Sequence, residues 1–191
     1  MIGLNKSNVN AAGNYPRPVP GGYVIRIESV QNNIAKEKLE IEFDIDGGEF
    51  AGYYKDMKTR LGWSSGKFAK SYKQKALPFF RAFIEAVQAS NEDTTGLVIG
   101  DFEDIDETKL VGKSVGVVVG EREYDGGDGL RKKGLDWYNA TFVTIDDIIK
   151  GNYEVPELRI TGTKATVTES TGVVDMSSNY LGPVSDTDVP F

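Results

Sequence analysis

The sequence contains no cysteine and no histidine. Without cysteine there can be no disulfide or thiolate nucleophile. Without histidine as well, there is no Ser-His-Asp triad and no Cys/His zinc site. The missing cysteines also fit a reducing compartment. No apolar run approaches the roughly 18 residues needed to cross a bilayer. The stretch MIGLNKSNVN lacks the charged-then-apolar layout of a secretion signal. A cytoplasmic protein with no membrane contact is therefore expected. The 191 residues, 39% hydrophobic and 27% charged, suffice for one globular domain plus some additional chain.

Positive charge is scarce but concentrated. The net charge of −7 would argue against a polyanionic partner if it were evenly spread. Instead, residues 55–81 carry Lys55, Lys58, Arg60, Lys67, Lys70, Lys73, Lys75 and Arg81 against the single acid Asp56. That window is +7, which leaves −14 for the rest of the chain. Surface charges are screened beyond about 8 Å at physiological salt, so the local field matters more to a polyanion than the total.

Residues 1–21 are polar and end in PRPVPGG, which predicts an extended N-terminal arm. GYVIRIESV (22–30) is β-rich. KLEIEFDID (38–46) alternates strictly, with Leu39, Ile41, Phe43 and Ile45 on one face and Lys38, Glu40, Glu42, Asp44 and Asp46 on the other. The DGG that follows suits a turn, so EFAGYYK (49–55) is expected to return as a third strand. PFFRAFIEAVQAS (78–90) places Phe79, Phe80, Phe83, Ile84 and Val87 on one helical face, with Pro78 in the first turn. Phe68, Tyr72 and Ala76 extend a helical spacing back to about residue 66. Residues 92–109 are expected to form an acidic loop. Strands are expected at 113–124 and 135–145, separated by the glycine-rich loop 125–134 and followed by a short helix in DDIIKG. From residue 157 the chain is Thr/Ser/Gly-rich without a period, which predicts a disordered tail over 157–191.

The order β-β-β-α-β-β is that of an OB-fold, a mainly β, five-stranded Greek-key barrel with one helix. It would occupy residues 22–156. Such barrels bind oligonucleotides or oligosaccharides across strands two and three and in the loops after strands one and four. The basic window is interleaved with rings, and single-stranded nucleic acid calls for that mixture: cations follow the phosphates while rings stack on unpaired bases. Candidate contacts are Tyr53, Tyr54, Lys55, Lys58, Arg60, Trp63, Lys67, Lys70 and Lys73. A second set, Tyr124, Arg131, Lys132, Lys133 and Trp137, surrounds the glycine-rich loop. Phe68 and Tyr72 read better as the buried side of a lysine-rich helix. The acidic outer face of strand two repels phosphate, so the path is expected to run along the end of strand three and the 125–134 loop. The acidic groups Asp44, Asp46 and Glu49, and Asp101 to Glu107, come with no general base. No catalysis, metal or cofactor is expected from them.

The sequence ends Asp186-Thr187-Asp188-Val189-Pro190-Phe191. An aromatic anchor beside carboxylates, after a polar linker, suits capture by a basic-rimmed pocket on a partner. In Asp188, Val189, Pro190 and Phe191 the chain resembles the single-stranded DNA-binding proteins of bacteria and phages, which join an OB-fold to a disordered linker and a D-x-P-F tip. Thr187 departs from their more acidic tip, and the 1–21 arm and the 92–112 insertion depart from cellular members. A phage-encoded version acting in the cytoplasm of an infected bacterium fits these departures better. The resemblance implies a non-enzymatic protein that coats single-stranded DNA during replication, recombination or repair. It also implies that residues 186–191 recruit partner proteins; a homo-oligomer is compatible with it, though the usual tetramer does not follow. The competing expectation is an OB-like protein-interaction or host-inhibitory module with no affinity for nucleic acid.

Overall fold

Strand β2 (Lys38–Ile45) keeps the period of two read from its sequence, with Leu39, Ile41, Phe43 and Ile45 all buried. The computed structural model describes residues 16–62, 66–97, 105–126 and 130–160. The chain is mainly β. Strand β1 (Gly21–Asn33) pairs antiparallel with β2 through residues 25–33 and with β4 (Ser114–Val119) through residues 21–26. A register shift between Ile27 and Ser29 marks a bulge where β1 passes from one partner toward the other, the place where a strand bends most readily. β3 (Gly66–Ser71) joins the free edge of β2, and β7 (Thr141–Val143) joins β4, giving the order β3-β2-β1-β4-β7.

This sheet curls until its edges face each other. The Phe68 ring of β3 lies 5.1 Å from the Phe142 ring of β7, although the two strands are not hydrogen-bonded neighbours. Helix α2 (Leu77–Ala89) fills one end, and its Phe83 ring sits 4.8 Å from Phe142 and 5.9 Å from Phe68. Ile25, Ile41, Phe43, Ile84, Val87 and Val117 complete the core from both sides of this half-barrel. A second sheet is built from β5 (Glu121–Asp125), β6 (Arg131–Leu135) and β8 (Arg159–Ile160), with β5 in the middle. Helix α3 (Ile145–Lys150), opened by a capping box between Thr144 and Asp147, packs on β4 at Gly116.

Several expectations are corrected. Residues 49–55 are not a third strand: Tyr53–Leu61 form helix α1, bracketed by Gly52 and Gly62, both left-handed (φ 73° and 66°). Gly52 brings no side chain to cap this helix, and Asp44 of β2 takes that role. Its Oδ1 accepts from the Tyr54 N–H (2.9 Å) and its Oδ2 from the Lys55 N–H (3.2 Å). Asp44 is therefore buried rather than part of a solvated face. Phe68 and Tyr72 do not begin a helix either, because residues 66–71 are strand β3. The expected strand 113–124 divides at Gly120 into β4 and β5, which belong to different sheets. Arg131–Lys133 are in strand β6 rather than a loop. The expected strand 135–145 is interrupted by a tight 3-10 turn at Trp137–Asn139. Phe79 points away from the buried face of α2. Arg159 and Ile160 pair with β5, so the sheet extends past residue 157, and the remainder of the expected tail lies outside the described residues.

Candidate nucleic-acid interface

Four separate segments converge on one groove of about 820 Å³: the arm at Arg17–Pro20, the first turn of α1, the start of β3, and the β5–β6 hairpin with the 137–138 turn. Tyr23 anchors the arm, its hydroxyl donating to the Val19 carbonyl and accepting from the Val19 N–H at 2.9 Å. Asp44 fixes the first turn of α1 and thereby directs Tyr53 and Tyr54 into the groove. These two rings meet edge to face at 5.2 Å. Tyr54 also contacts Phe43 at 5.4 Å and Trp137 at 6.1 Å. Burial pushes the Tyr54 hydroxyl well above its ordinary pKa, so it stays a neutral donor. Tyr53 is raised more weakly by burial, against the pull of the Arg17 guanidinium.

Gly66 is required by this packing. A Cβ there would come 2.7 Å from the Tyr54 ring and 2.9 Å from the Phe43 carbonyl oxygen, and the latter cannot yield. Gly66→Ala is expected to destabilise the fold by about 1–3 kcal/mol by overpacking and to push Tyr54 out of place. Thermal unfolding and an oligonucleotide titration measure the two effects.

Of the sequence-derived candidates, Tyr53, Tyr54, Lys67, Tyr124, Lys133 and Trp137 share the groove lining. Lys55, Lys58 and Arg60 lie exposed on α1, with Arg60 held to Asp56 at 2.6 Å. Lys70 lies in a separate cleft, Lys73 is exposed in the turn after β3, and Arg131 and Lys132 are exposed at the start of β6. Trp63 and the residues Asp186, Asp188, Val189, Pro190 and Phe191 lie outside the described residues.

Several groove cations are matched by carboxylates. Lys67 pairs with Glu42 at 2.7 Å, and this pairing raises its pKa. Lys133 reaches Glu121 and Glu123, each at 3.4 Å, and is raised for the same reason. Outside the groove lining, Arg131 reaches Glu123 at 3.2 Å and Asp125 at 3.6 Å. All these cations are exposed, so the pairs contribute little to stability.

No family model and no curated protein matches the chain. The groove is thus interpreted from its own residues, and two of them, Arg17 and Tyr138, are not among the candidate contacts named from the sequence. Arg17 sits in the arm, and the proline-spaced PRPVP run was its only signal. Tyr138 is 43% exposed and lines the groove, while its neighbour Trp137 is 7% exposed and stacks into the core at 4.7 Å from Phe43.

Among the described residues, no helix is long and apolar enough to cross a membrane.

Proposed function

We propose that this chain is a non-enzymatic, sequence-tolerant single-stranded DNA-binding protein built on an OB-type barrel. The five-stranded sheet with α2 between β3 and β4 corresponds to the barrel, and the β5–β6 hairpin elaborates the connection between its fourth and fifth strands. The observation that carries the proposal is the groove, whose lining combines Arg17, Lys67 and Lys133 with Tyr53, Tyr124 and Tyr138. Cations aligned with phosphates and rings offered to bases bind any sequence, because every base has a stacking face. In this reading the protein coats exposed strand during replication, recombination or repair, in keeping with the resemblance of its Asp188-Val189-Pro190-Phe191 end to phage and bacterial proteins of that kind. Residues 186–191 are assigned to partner proteins. Their deletion is expected to spare DNA binding.

The test is a tryptophan-fluorescence titration with dT oligonucleotides at several salt concentrations. Affinity is expected to fall steeply and linearly in log–log form as salt rises. Absence of binding at low salt, or binding indifferent to salt, overturns the proposal. The second reading, a protein-interaction module, draws on the ion pairs of Lys67 and Lys133, which give the groove a mixed charge. It predicts no dT affinity, and capture of partners by the folded body rather than by residues 186–191.

A further inference from the structure

Three surfaces meet at Tyr138. It borders the groove described above, the outer face of β2 and β3, and a third cleft of about 380 Å³ between β3, α2 and the 138–142 segment. A single strand leaving the groove over Tyr138 therefore has two ways to continue, and they differ in charge. The outer face presents Glu40 and Glu42, each held by a lysine: Lys38 at 3.0 Å and Lys67 at 2.7 Å. The third cleft has one charged residue in its lining, Lys70, and no carboxylate among the described residues.

Lys70 occupies an inward position on β3, two residues after Phe68, and its ammonium lies 4.3 Å from the centre of the Phe142 ring. Phe79 stands on the rim of the same cleft, 68% exposed, on a helix whose other phenylalanines are buried. An exposed ring beside a cation in an apolar, acid-free recess is the composition that accepts a base and its phosphate. The charged groups around Lys70 are accounted for. On α2, Arg81 and Glu85 pair with each other at 2.7 Å on the exposed side. In the turn after β3, Lys73 and Lys75 are exposed. The β2 residue opposite Lys70 is Leu39, and Tyr138 is the other titratable residue in the lining. Desolvation alone depresses the Lys70 ammonium to about 8.

We propose that single-stranded DNA held in the main groove turns over Tyr138 and continues into this cleft, where Lys70 takes a phosphate and Phe79 stacks on a base. The inference rests on the nucleic-acid reading above and adds a second subsite to it.

The experiment titrates the full chain with dT oligonucleotides of increasing length. Short oligonucleotides that fill only the groove are expected to bind wild type, Lys70→Met and Phe79→Ala equally. Longer ones should bind the two variants about five- to tenfold more weakly than wild type. Phe79 is exposed, so Phe79→Ala carries the test even if Lys70→Met fails to fold.

A pH series gives an independent readout. A bound phosphate raises the Lys70 pKa above its free value of about 8, so the added affinity is fully present below that pH and declines as pH rises through it. A decline of about three- to fivefold between roughly pH 7 and 9 is expected for the longer oligonucleotides. Lys70→Arg, charged throughout, should abolish it. Equal affinity of wild type and both variants at every length overturns the subsite and leaves the groove intact. Failure of the wild type to bind any dT overturns the groove assignment, and the subsite falls with it.

Discussion

Trp137→Ala is expected to lower the thermal midpoint by on the order of 10 °C, whereas Tyr138→Ala, one position on, should leave it nearly unchanged. The indole is 7% exposed and contacts Tyr23 at 5.9 Å, Phe43 at 4.7 Å and Tyr54 at 6.1 Å. Truncating such a ring removes about 3–5 kcal/mol through lost burial and the cavity left behind. Tyr138 has no such role in the core. Its removal should instead weaken dT binding by roughly 5- to 100-fold, the range for losing one stacking platform. Calorimetry and titration on the same two proteins therefore give opposite orders of severity. If Tyr138→Ala bound dT like wild type, the ring would be mere surface.

Asp44→Ala is the second large effect, and it should be felt at a distance. The carboxylate accepts from three backbone N–H groups: Ile45 and Tyr54, both at 2.9 Å, and Lys55 at 3.2 Å. A bond to a charged acceptor contributes about 1.5–3 kcal/mol, and loss of a helix cap alone costs about 0.5–2 kcal/mol. A destabilisation of about 2–4 kcal/mol is expected, concentrated in α1. Hydrogen exchange should show the Tyr54 and Lys55 amides losing protection while the strands of the half-barrel keep theirs. Affinity for dT should fall too, because Tyr53 and Tyr54 lose their platform without being mutated. Asp44→Asn keeps one acceptor oxygen and should lie between wild type and Asp44→Ala.

How far the sequence could be read depended on whether one residue or several carried each signal. β2 and most of α2 were legible because four or five apolar side chains repeated at a single period. β3 was hidden by Lys70. A lysine at an inward position broke the alternation Gly66-Phe68-Lys70, and the four-residue spacing of Phe68, Tyr72 and Ala76 then mimicked a helix. The structure tolerates that lysine because its stem crosses the core edge to reach Phe142. α1 was mistaken for a strand because its two tyrosines favour β structure locally, while its cap is supplied by a residue ten positions earlier. β6 looked like loop because RKKG has no apolar face. What holds it is the backbone ladder with β5, which sets Lys133 opposite Glu123 and Arg131 opposite Asp125. The groove was legible in composition but not in membership, since Arg17 joins it through the anchoring of Val19 by Tyr23.

The pairing of Lys67 with Glu42, and of Lys133 with Glu121 and Glu123, means that the protein carries its own counter-ions. When a phosphate displaces one of these carboxylates, ions leave the DNA, but the freed acid draws a cation back from solution. Fewer ions are released in total than there are lysine–phosphate contacts. The salt slope should accordingly be shallower than the number of contacting cations implies. Replacing Glu42 or Glu123 with glutamine should steepen it.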